Sequence, residues 1–275
     1  MDALRQPFNP RGDAEKARLP FSPGIVSPFL LLFVGGAVAA LRGGVPQEIS
    51  RPLAAAGFHG ALLAAALASA WGSRGGWQGF AWLLAGLLFL ASLSAQLAPW
   101  GALAYLLLPL TLWALGRSHP QLRRICWSRP EASRAWLLGA GVGLFLGTHL
   151  LLSASRTFGY PIRLTPVVPL LAAMAYDAGA NVLSAELFFR GVIFNFCQRR
   201  WGFWAGTVFS TGACLLRYVV DPALPRTLEV LTGALFYLAL LSLTNCALLA
   251  LAGSLLPSAL AAFFFFAAYR MLQLW

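Results

Sequence analysis

The chain has 275 residues, 59% of them hydrophobic and only 11% charged, with a formal net charge of +11. Its mean hydropathy is +0.72. A soluble domain carries about a quarter of its residues charged, so composition excludes a soluble globular protein and points to an all-α, polytopic transmembrane helical bundle. The basic residues are scattered over the segments between apolar runs rather than gathered on one stretch, which excludes nucleic acid as a partner and leaves membrane lipids.

Residues 1–23 are polar and proline-rich and are expected to form a cytoplasmic N-terminal tail. Apolar runs then predict spans at 24–41, 53–71, 78–96 and 100–116, a four-helix N-terminal extension over 24–116 with almost no intramembrane polarity. The first of these follows a basic stretch and ends in a small-residue run that resembles a signal-peptide cleavage site. Its long, acid-containing lead favours a retained helix. A basic loop over 117–135 divides the chain. Beyond it, 136–275 holds predicted spans at 136–154, 166–187, 203–220, 228–251 and 256–274, so the bundle has eight or nine spans in all. With the N-terminus inside, thirteen arginine or lysine residues fall in inner segments against five outside. That places the N-terminus in the cytoplasm and the protein in the inner or plasma membrane.

The four cysteines, Cys126, Cys197, Cys214 and Cys246, have no paired spacing and predict neither a disulfide framework nor a metal site. No cofactor is called for. Gly139, Gly143 and Gly147 recur every fourth residue and predict close helix packing on one face. His149 follows on the same helix, where a helix–helix hydrogen bond is the ordinary role. The run Phe263–Phe266 is expected on a lipid- or partner-facing surface.

A charge in hydrocarbon is costly, so intramembrane ionisable residues mark candidate sites. Asp177, Asn181 and Ser184 share a helix face that leads to Glu186 and Arg190 at the inner end of the sixth span. Glu186 and Arg190, four apart with the acid first, suit a salt bridge. The plainer reading is an interfacial pair with Arg190 snorkelling to the headgroups. Asp177, Asn181, His149 and Arg217 complete a polar chamber in this reading.

The stretch Ser184–Phe194, SAELFFRGVIF, resembles the first motif of the CPBP intramembrane proteases, the CAAX-processing and bacteriocin-processing family. That motif is two adjacent glutamates, then an aromatic residue, arginine and glycine; Glu186, Phe189, Arg190 and Gly191 fit it. Ala252–Phe266 resembles the family's last motif through its Gly-Ser-Leu-Leu-Pro run. The resemblance covers 136–275 and implies an intramembrane endopeptidase fold. It also implies that catalytic groups are missing. Ala185 stands at the first glutamate, Ala213 and Arg217 at the second motif's aromatic and histidine, and Ala262 and Phe266 at the last motif's histidine and asparagine. A guanidinium stays protonated and cannot replace a base, although Arg217 could bridge to Glu186 in a plugged chamber. The expected function is therefore a pseudoprotease, with Glu186 and Arg190 as remnants. It would act as a scaffold, assembly factor or accessory subunit for an integral membrane protein or a lipidated peptide. Two alternatives are an active endopeptidase that pairs Glu186 with His149 or Asp177, and a small-molecule or lipid transporter that uses the Asp177–Asn181–Ser184 stripe.

Overall fold

The computed structural model describes residues 23–42, 46–71, 76–119, 134–162, 166–219 and 228–272. Its elements are helices: α1 (Pro23–Arg42), α2 (Gln47–Trp71), α3 (Trp77–Leu97), a 3-10 turn (Pro99–Leu106) that feeds α4 (Leu107–Ser118), α5 (Arg134–Phe158), α6 (Val167–Trp201), α7 (Phe203–Val219), α8 (Leu228–Ala252) and α9 (Leu256–Tyr269). No strand occurs among the described residues; Ile162 and Leu272 form one isolated antiparallel bridge. Among the described residues six helical stretches are long and apolar enough to cross a membrane: α2, α3, the 3-10 turn with α4, α5, α6 and α8. The shorter α9 is apolar over 14 residues. The expected tail over 1–23 lies outside the described residues except for Pro23. The expected basic loop lies outside them over 120–133, which includes Cys126.

The nine helices among the described residues fall on the nine apolar runs, with three ends displaced by five residues or more. The second span was expected from residue 53, but α2 begins at Gln47 and takes Glu48 into its first turn, where a carboxylate suits the positive end of the helix dipole. The last span was expected to reach 274, but its helix ends at Tyr269. The largest difference is α6. The sixth span was expected to stop at 187, yet the helix runs 35 residues to Trp201. Glu186 and Arg190 therefore lie inside a helix and not at its inner end. A hydropathy window closes where charges begin, whereas a helix continues wherever packing covers them.

Two compact units share the chain. Of the described residues, the first takes those between 23 and 119 together with 166–188, and the second takes 134–162 and those from 189 to 272. The boundary between the units thus falls within α6.

The first unit centres on α2, whose alanines allow close approach. Leu63, Ala64, Ala65 and Leu67 are all buried. Gly57 lies against the backbone of Phe33 and Phe29 of α1, where a Cβ would overlap main-chain atoms. At the α3–α4 hairpin Gly101 sits on the Ser94 carbonyl in the same way, which explains how two nearly contiguous spans can reverse direction.

In the second unit the glycine column of α5 packs on α9. Gly139 meets the Pro257 carbonyl, Gly143 the Ala261 carbonyl and Gly147 the Ala268 methyl. The predicted small-residue face is a helix contact, and its partner is α9. The expectation of a surface position for the phenylalanine run is corrected for its second half, while Phe263 and Phe264 remain partly exposed. Phe265 and Phe266 are buried, and the Phe266 ring lies 6.0 Å from that of Tyr218.

Candidate functional site

The polar residues of the membrane interior gather along α6, which is not a uniform α-helix. Two stretches, Asp177–Asn181 and Glu186–Phe194, are wound as π-helix. Such wide turns are rare and often sit at functional sites, because they leave carbonyls that the normal ladder does not serve.

In the first unit Asp177 is 1% exposed and its Oδ1 accepts a 3.1 Å hydrogen bond from Asn181 Nδ2. This hydrogen bond joins two members of the predicted stripe, and both residues are buried inside the protein. A path for a transported solute would need those groups presented to an opening. Ser184 is also buried. Its hydroxyl donates to the Ala180 carbonyl at 2.6 Å and lies 2.8 Å from Nδ1 of His59. The other ring nitrogen, Nε2, lies 3.1 Å from the Tyr176 hydroxyl. The tautomer of His59 sets which ring nitrogen donates and which accepts in these two contacts. His59 thus clamps α2 to two turns of α6.

Sequence reasoning missed this residue, having taken the N-terminal spans as almost free of polarity. His59 is 2% exposed, and Ser50 and Ser92 are buried in the same unit. The available signal was a histidine in the middle of an alanine-rich span, where a polar side chain must find a partner.

Glu186 is buried in this unit as well, and Ala185 beside it is 4% exposed. Arg190 begins the part of α6 that belongs to the second unit. It is among the largest fully buried side chains, which rules out the expected snorkelling to the headgroups. Its Nη1 donates to Cys214 Sγ of α7 at 3.4 Å. Asn195 serves the exit from the second wide turn. Its Nδ2 donates to the carbonyls of Arg190 and Gly191, both at 3.1 Å. Ser210 of α7 donates to the Phe189 carbonyl at 2.7 Å. Side chains thereby cover backbone acceptors that would otherwise be buried and unmet. Asn195→Ala is expected to lower stability by about 1 to 2 kcal/mol, read as a fall in thermal midpoint in mild detergent; an unchanged midpoint would deny Asn195 this role.

Arg217 is buried on α7, its guanidinium carbon 4.4 Å from the Tyr218 ring centroid. That distance suits a cation–π contact. His149 behaves as the ordinary reading of a lone intramembrane histidine requires: Nδ1 lies 2.6 Å from the Tyr237 hydroxyl of α8. Among the described residues no three histidine, cysteine, aspartate or glutamate side chains converge as a metal site would need.

No family model, no curated protein and no solved structure matches this chain.

Proposed function

We propose that the chain is a CPBP-like membrane scaffold without peptidase activity, holding an integral membrane protein or a lipidated peptide, with its N-terminus in the cytoplasm. The observation that carries this reading is the packing at the positions where that family keeps polar groups. Ala185 and Ala262 are buried, and Phe266 packs its ring beside Tyr218. Peptide hydrolysis needs a base to activate water and donors to stabilise the oxyanion. Buried methyl groups and a phenyl ring supply neither. The hydrogen bonds of Arg190, Asn195 and Ser210 hold backbone and neighbouring helices, which suits a structural part for the motif.

The test is quantitative mass spectrometry of what co-purifies with the tagged full chain from its native membrane, wild type beside Glu186→Gln. A near-stoichiometric membrane partner, intact in both samples, is the expected result. A protein that is cleaved in wild type and accumulates uncut with Glu186→Gln would overturn the proposal and restore a working endopeptidase.

A further inference from the structure

His149 carries an observation that the site on α6 does not absorb. It lies about 5 Å from the centre of α5 along the helix axis, and its side chain is exposed. Its Nδ1 is occupied by the Tyr237 hydroxyl, which in turn lies 3.0 Å from Ser153 Oγ. Nε2 has no hydrogen bond within the described residues, so it is left for whatever covers this face. At that depth hydrocarbon offers no partner, and lipid ester groups lie roughly 15 Å from the bilayer centre. Polar side chains inside a membrane almost always face protein or a water-filled cavity.

The surroundings of His149 describe what that protein looks like. Leu138, Gly141, Phe145, Thr148 and Leu152 are all exposed. Their spacing alternates three and four residues, the repeat that keeps one seam facing a partner helix in a left-handed pair. Gly141 has no atom within 4 Å of where a Cβ would stand, unlike Gly139 and Gly143 on the opposite face. Identical chains inserted in one membrane share an orientation, so a two-fold axis along the membrane normal would lay this seam parallel to itself. The seam also supplies its own complement. Thr148 lies on it directly beside His149, and a hydroxyl can donate or accept, so it satisfies Nε2 in either tautomer.

We propose that this face of α5 pairs with the same face of a second copy, His149 Nε2 of each chain hydrogen-bonded to the Thr148 hydroxyl of the other. The inference stands apart from the scaffold reading, because a peptidase or a transporter could pair in the same way.

The experiment uses the full chain in native membranes, with Cys126→Ser to remove a thiol outside the described helices. Single cysteines are placed at 141, 145, 148 and 152, with Val208→Cys, an exposed position on α7, as the reference. Oxidation is expected to give dimers of twice the chain mass at least fivefold more efficiently at 145 and 148 than at 208. In co-capture of two differently tagged copies, His149→Leu and Gly141→Leu are each expected to lower recovery about fivefold. Gly141→Leu enters open space and keeps the Tyr237 bond, so its effect does not pass through misfolding. Cross-linking at 145 and 148 no better than at 208, or only to a chain of different mass, would overturn the proposal; the second result would give the face to another membrane protein. Full recovery with both leucine variants would overturn it too.

Discussion

Gly143→Ala is expected to cost about 3 kcal/mol, and Gly143→Leu to leave little folded protein. The reason is what the new atom would meet. A Cβ at Gly143 overlaps the carbonyl, Cα and carbonyl carbon of Ala261, all main-chain atoms of α9. A flexible side chain could swing aside; a helix backbone cannot, so the two helices must separate along their length. Gly139 against Pro257 and Gly147 against Ala268 would lose their contacts with it. Few kcal/mol separate folded from unfolded protein, so the loss is a large share of the total. Gly141, two residues away and facing open space, is the internal control. Heating in mild detergent followed by size-exclusion chromatography reads the result. If Gly143→Ala and Gly141→Ala melt together, the close contact between α5 and α9 does not govern stability.

The second large effect is expected at His59. His59→Ala removes a buried side-chain hydrogen bond to Ser184 and a part-buried one to Tyr176, and opens a cavity beside α2. The combined cost should be about 3 kcal/mol or more. Ser184→Ala should cost less, about 1 kcal/mol, because it removes a hydroxyl and leaves no large void. The pair should couple: in a double-mutant cycle the two losses should fall short of additivity by about 1 kcal/mol. Strict additivity would mean that the 2.8 Å contact contributes nothing to stability. Ser184 is two residues before Glu186, so this clamp also fixes where the buried carboxylate sits on the helix.

How much of this was legible in the sequence follows from what each signal measures. Apolar runs located each helix among the described residues, because length and hydropathy are properties of a segment by itself. The glycine spacing of α5 announced a close contact for the same reason, although α9 as its partner could not be named. The polar clusters depended on distant parts of the chain. Arg190, one of the charges that made α6 look finished at 187, meets Cys214, 24 residues away, and the carbonyls around it are met by Asn195 and Ser210. Ser184 has its partner 125 residues earlier. No periodicity within one helix encodes such a pairing. Phe265 and Phe266 show the converse failure: an apolar run in a membrane protein is equally at home in lipid or in the core, and only the glycine face opposite decided for the core.

The two wide turns of α6 affect how this protein can be compared with others. A π turn accommodates one residue more than an α ladder would, and each extra residue rotates everything beyond it by about 100°. A chain shorter by one residue at either wide turn could wind that turn as plain α-helix and still present matching faces at both ends. Such a chain would align with this one only through a gap in the middle of a membrane helix, the place where gaps are ordinarily penalised most. An ungapped comparison would set Arg190 or Asn195 against the wrong neighbour and score a true counterpart as unrelated.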